Sequence, residues 1–140
     1  MRVVDANVLL YAVNSASERH RRARTWLDAA LGGDETVGFA WVVLLAFVRL
    51  STHPGIFPRP LASDQAIGVV RKWLTSEVAV VVEPGPRHLD LLAALLDEAG
   101  TAANLVTDAH LAAIAIEHDA TLETFDADFT RFAGLRRHVP

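Results

Sequence analysis

At 140 residues, with 51% hydrophobic and 21% charged side chains, the chain is one domain's worth of protein that removes roughly 68–70% of its unfolded surface from water, which excludes disorder and a scaffold dependent on staples. It has no cysteine, which excludes disulfides, thiolate zinc sites and Cys nucleophiles, and its longest uncharged apolar stretch, Val37–Val48, falls short of the ~18–20 residues of a membrane span. Thirteen Lys and Arg against 17 Asp and Glu, net −4 at pH 7, is not the global basic footprint of a nucleic-acid binder, although carboxylates gathered around a cation count as negative in such arithmetic.

The elements alternate from the first residue. Arg2-Val3-Val4-Asp5 reads as a short buried strand with no apolar leader before it, so a cytoplasmic protein is expected. Asn7–Val13 reads as a helix, and Ser15–Ser17 supply turn and cap chemistry for a second from about Glu18 to Leu31, ended by Gly32-Gly33. Thr36–Phe39 is a candidate strand. An apolar helix follows from about Trp41 to Thr52, then a proline-stiffened loop, then a helix capped by Ser63 and running to about Thr75 with Ala66, Val69, Val70, Trp73 and Leu74 as its stripe. Val78–Val82 has strand composition, and the next helix carries Leu89, Leu92, Ala93 and Leu96 on one face before Gly100. A helix over Asp108–His118, a strand over Thr121–Phe125, a short helix over Ala127–Phe132 and an edge strand at Arg137–Val139 complete the chain. Strands separated by one or two helices predict an α/β fold: a three-layer α/β/α sandwich, one domain over residues 1–140, with a mainly parallel sheet of about five strands.

Ligands of an open parallel sheet bind outside the carboxyl ends of its strands. Aspartates occupy those positions here. Asp5 closes the first strand, Asp126 closes the Thr121–Phe125 strand, Asp128 follows, and Asp108 opens an otherwise apolar helix. Singly, Asp5 and Asp126 read as N-caps, Asp108 as a partner for first-turn amides and Asp128 as a solvated charge. Jointly they repel one another unless a cation intervenes. Oxygen-only ligands suit Mg²⁺, or Mn²⁺, rather than zinc, and Mg²⁺ characteristically meets substrate phosphates.

Val3-Val4-Asp5-Ala6-Asn7, the segment Leu105 to Ala113 around Thr107-Asp108-Ala109-His110, and Thr124-Phe125-Asp126-Ala127-Asp128-Phe129 resemble the three acidic motifs of PIN-domain ribonucleases. Their order, spacing and total length are similar to the VapC toxins of bacterial VapBC toxin–antitoxin pairs. The resemblance implies a magnesium-dependent endoribonuclease acting on tRNA, rRNA or mRNA, a homodimer, and inhibition by a VapB antitoxin. It implies that Asp5, Asp108 and Asp126 hold metal, that Asp128 assists, and that Asn7 orients Asp5. One motif departs from the family pattern: a Glu is common in the helix after the second strand, whereas this chain reads Leu45-Ala46-Phe47-Val48-Arg49. The departure leaves open a three-Asp site of weaker metal affinity, a shifted acid such as Glu35 or Glu117, and an impaired module that binds RNA or a protein without cleaving it. Glu117 lies about two and a half helical turns from Asp108, which favours a capping role at the far end of that helix.

The cluster Arg19, Arg21, Arg22 and Arg24 reads first as a solvated helix face and second as a set of phosphate contacts. Arg49 is either a buried partner for a carboxylate or an electrophile of the site. The six histidines show no metal-ligand spacing, so His20, His53, His88, His110, His118 and His138 are expected at the surface or at helix ends. Ser51-Thr52-His53 lacks an elbow glycine and an orienting acid. Asp5-Ala6-Asn7 lacks the second Asp of a phosphatase nucleophile motif. The apolar helices Trp41–Leu50 and Ala66–Leu74 are expected to offer a groove for an antitoxin segment or a second copy.

Overall fold

Val3, Val4, Val37, Phe39 and Leu122 are buried apolar side chains carried by strands only three or four residues long, a pattern that forms a stable sheet only when helices cover both faces. The computed structural model, which describes residues 1–100 and 102–140, has that arrangement. Among the described residues, strands β1 (Arg2–Val4), β2 (Val37–Ala40), β3 (Ala79–Val82), β4 (Thr121–Glu123) and β5 (Arg136–His138) form one sheet in the order β3-β2-β1-β4-β5, and every pairing is parallel. The helices are α1 (Ala6–Val13), α2 (His20–Leu31), α3 (Trp41–Ser51), α4 (Ser63–Leu74), α5 (His88–Ala99) and α6 (Val106–Glu117). Helix α1 packs on both α2 and α3, α3 packs on α4, and α5 packs on α6, as right-handed crossovers require when strand order runs one way from β1 to β3 and the other way through β4 and β5.

Phe39 stacks on Trp73, and Phe47 meets the same indole edge-on at 4.8 Å between centroids, which ties β2, α3 and α4 together. Helix α6 buries Ala109 and the run Leu111–Ala115, because it lies against β4 with α5 across its outer side. Small residues let it approach closely. At Gly38, a Cβ would meet a Val82 methyl at 2.9 Å and a Val3 methyl at 3.2 Å, so only glycine lets β1, β2 and β3 keep their side chains in place.

Several elements depart from expectation. Helix α2 begins at His20, because Asn14 Oδ1 and Ser17 Oγ accept from Ala16 and Arg19 amides and hold the preceding residues in turns. Ser63 is the first helical residue of α4 and not its cap; the Gln65 side chain reaches back to accept from the Ala62 amide. On α5 the buried residues are His88 and Leu95, with Leu91, Leu92 and Leu96 partly covered, while Leu89 is 76% exposed, so the apolar face is rotated from the one predicted. The short helix after β4 is a 3-10 turn over Ala127–Arg131. None of the described helices is long and apolar enough to cross a membrane.

Candidate metal centre

The strand order reverses between β1 and β4, and the crevice outside their carboxyl ends is the expected binding position of an open parallel sheet. Asp5 stands there. Its backbone is extended and its amide donates to the Glu123 carbonyl at 3.0 Å, so it caps α1 while remaining locked to β4. Oδ1 accepts from the Ala6 amide at 2.6 Å; Oδ2 accepts from Asn7 Nδ2 at 2.7 Å and from Thr124 Oγ1 at 2.6 Å. Asn7 also donates to Thr124 Oγ1 at 3.0 Å and accepts from the Phe125 amide at 3.1 Å. Thr124, fully buried, completes the knot by accepting from the Asp126 amide at 3.0 Å. Asp5, Asn7, Thr124 and Asp126 therefore form one hydrogen-bonded unit across two strand ends.

Asp126 caps the 3-10 turn, with Oδ1 accepting from the Asp128 amide at 2.8 Å. Asp128 is exposed at the rim, 3.5 Å from Arg131. Asp108 sits half-buried in the first turn of α6. All of Asp5's hydrogen-bond donors are neutral. Burial, with repulsion from Asp108 and Asp126, outweighs the bonds from Thr124 and Ala6 and pushes the Asp5 carboxyl up to about 6. Asp108 is also held above the ordinary carboxylate range, by burial first and then by Asp126 and Asp128, with Arg131 opposing.

The four aspartates thus share one electrostatic neighbourhood. Among the described residues, however, no group of three or more His, Asp or Glu side chains is close enough to form a ready-made cage. Oxygen ligands set apart in this way suit an ion that keeps several waters, and an excess of negative charge met only by neutral donors and one rim arginine is what a cation would relieve. The donor set fits a hard divalent cation.

Other sequence candidates lie elsewhere. Glu35 is at the opposite, amino edge of the sheet, bound to the Met1 amine and the Arg2 guanidinium. Glu117 does not cap its own helix: its carboxylate accepts from the Gly85 and Arg87 amides, both at 2.9 Å, and holds the turn into α5. Arg49 is exposed and has no carboxylate partner among the described residues, which removes the buried-pair alternative. Ala46 is half-buried on α3. His88 is the first residue of α5, a helix end as expected, and is buried there with its Nε2 2.8 Å from His110 Nδ1 in the α5–α6 seam. Arg24 lies 3.6 Å from Asp28, one helical turn on. Both residues border a groove of about 620 Å³ between α1, α2 and α4, lined also by Leu27, Leu31, Val69 and Trp73 and containing none of Asp5, Asp108, Asp126 and Asp128.

Two residues escaped the sequence reading. Thr124 is legible in retrospect as a hydroxyl two residues before Asp126. Glu123, fully buried, bonds to Arg2 of β1 and, at 2.7 Å, to His138 of β5; only strand register brings those three together.

A PIN domain family model matches residues 2–135. The chain is 57% identical to Ribonuclease VapC37 of Mycobacterium tuberculosis over 140 residues, covering all of this chain and 97% of that one. It is 41% identical to Ribonuclease VapC33 of the same species over 136 residues, 97% and 95% of the two chains. Among solved structures, Mycobacterium tuberculosis VapC20, described as a Sarcin-Ricin loop cleaving toxin, superposes with a TM-score of 0.69 at 18% identity over 97% of this chain and 99% of that one. VapBC2 of Rickettsia felis, bound to a promoter DNA fragment, gives 0.66 at 18% identity over 99% and 98%.

Proposed function

We propose that this chain, which belongs to the PIN-domain family and to its VapC branch, is a metal-dependent endoribonuclease toxin of the cytoplasm, acting as one PIN domain over residues 1–140. PIN-domain VapC nucleases are metal dependent, and Mg²⁺, with Mn²⁺ as a substitute, is the ion this donor set favours. Asp5, Asp108 and Asp126 hold it; Asp128 assists from the rim; Asn7 and Thr124 orient Asp5. When bound, the ion supplies an acidified water for in-line attack on phosphorus and offsets charge on the phosphate oxygens.

The remaining work falls to the chain's own groups. The Asn7–Thr124 knot fixes the Oδ2 edge of Asp5 against rotation, so the carboxylate is presented in one orientation. Asp5 would hold the ion as an ionised carboxylate, the form a ligand must take. The backbone of β4 and the turn after it keep Asp126 and Asp5 in register. The substrate is RNA of the transfer, ribosomal or messenger class. The partners are a VapB-type antitoxin and a second copy of the chain, for which the exposed Trp41 and Leu45 of α3 and Ile67 of α4 are apolar surface available for burial.

The observation that carries this reading is the mutual repulsion of Asp5, Asp108, Asp126 and Asp128 at the switch point, with no buried cation to balance them among the described residues. Incubating total RNA with purified protein in Mg²⁺ tests it: discrete cleavage products are expected, abolished by EDTA and by Asp108→Asn. Intact RNA with Mg²⁺ present, or cleavage that survives both EDTA and Asp108→Asn, contradicts it.

A further inference from the structure

The arginines of α2 are not equivalent. Arg19, which precedes the helix, places its guanidinium 5.4 Å from the ring centres of both Tyr11 and Phe125, and donates to the Tyr11 hydroxyl at 3.2 Å. Arg22, one turn on, lies 5.5 Å from the Phe125 ring. Tyr11 and Phe125 meet edge to face at 5.4 Å, so the two cations rest on a single aromatic platform. Phe125 is the residue between Thr124 and Asp126, and its amide is fixed by Asn7. The platform is therefore part of the same rigid unit that holds Asp5 and Asp126.

Both guanidiniums are exposed, and among the described residues neither pairs with a carboxylate. Arg24 is engaged by Asp28, Arg131 by Asp128 and Arg2 by Glu35 and Glu123. Arg21 is two residues from Arg19 and one from Arg22, and so projects from a different side of the helix. A polyanion approaching the acidic crevice meets repulsion from the aspartates. Two unpaired, planar, pre-oriented cations one ring away offset it, and their forked donors match phosphate oxygens.

We infer that Arg19 and Arg22, mounted on Phe125 and Tyr11, clamp a backbone phosphate of single-stranded RNA beside the scissile one, and that Phe125 is the positioning residue coupling this clamp to Asp126. The inference rests on the ribonuclease reading above and narrows the basic cluster from four arginines to two. Contacts to phosphate fix register without reading sequence, so the clamp serves every substrate the enzyme accepts.

Binding of a short fluorescein-labelled single-stranded RNA, followed by anisotropy in EDTA across a series of salt concentrations, tests the clamp without cleavage. Loss of the one clamped phosphate lowers the slope of log affinity against log salt by about 0.7. Arg19→Gln/Arg22→Gln is expected to show that loss, while Arg59→Gln/Arg71→Gln, which removes equal charge elsewhere, keeps the parent slope. Phe125→Leu retains both charges and is expected to weaken binding roughly two- to fivefold with the slope near the parent's, its melting temperature reporting that it folds. Equal slopes for the two double variants overturn the clamp. Cleavage of total RNA by the parent in Mg²⁺ separates the layers: a parent that cleaves while the slopes stay equal overturns the clamp alone, and one that neither binds nor cleaves overturns the ribonuclease reading with it.

Discussion

Asp5 and Glu123 are carboxylates at the ends of adjacent strands, one amide-to-carbonyl bond apart, yet their surroundings differ in kind. Glu123 has no exposed surface but two partners that can carry positive charge, Arg2 and His138, one on each flanking strand. Asp5 has only neutral donors and faces two further acids. A buried carboxylate balanced by its neighbours serves the sheet; one left unbalanced is costly to the free protein and is retained where a cation arrives from outside. On the proposed function, the same strand ends hold a structural charge and a functional one.

The comparison breaks most clearly under substitution. Asp108→Asn is expected to reduce cleavage by two orders of magnitude or more while the metal-free protein melts no lower than the parent, because the lost carboxylate is held above its ordinary range by burial first and then by its acidic neighbours; cleavage assays and a melt read the two effects separately. Glu123→Ala should do the reverse. It leaves Arg2 and His138 without their buried partner and is expected to destabilise by about 3–5 kcal/mol, seen in denaturant unfolding, with residual activity tracking the folded fraction.

A smaller effect sharpens the contrast through pH. In metal-free protein the folded form binds a proton at Asp5 up to about pH 6, well above the unfolded value near 4. Between those values the native state holds more protons, so stability falls as pH rises through roughly 4 to 6 and then levels, by at most about 3 kcal/mol. Saturating Mg²⁺ is expected to flatten that decline in a pH series of unfolding curves, and a decline unaffected by Mg²⁺ would separate Asp5 from the metal. The smallest effect is at Ala46. Ala46→Glu is expected to lower the Mg²⁺ concentration for half-maximal cleavage a few-fold, with little change at saturation, and a lowered melting temperature without that gain would mean the side chain points into α3's packed face.

Most of this fold could be read from local patterns, and the reason is visible at the end of β1, where Val3-Val4 and the Asp5 that follows carry both the burial and the terminal acid within three residues. The α5 face could not, because its register depends on His88 entering the seam with His110 and on Glu117 reaching across to hold Gly85, where a Cβ would lie 2.5 Å from Oε1. The site divides in the same way. Asp5, Asp108, Asp126 and Asp128 announce themselves at element boundaries. Thr124 and Glu123 acquire their roles only when parallel pairing sets β4 between β1 and β5, and the separation of Arg19 and Arg22 from Arg21 and Arg24 needs the position of the Phe125 ring. Long-range partners, rather than residue types, are what the linear pattern withholds.

The most direct test of an unbalanced site is a melt with and without divalent metal. At ~10 mM Mg²⁺ a site of millimolar affinity gains roughly 1.4 kcal/mol, about 4–6 °C for a chain of this size. The parent and Glu123→Gln are expected to shift upward together, and Asp108→Asn is expected to lose most of the shift. A parent whose melting temperature does not move with Mg²⁺ or Mn²⁺, or an Asp108→Asn variant that shifts as far as the parent, would contradict a cation held by these aspartates.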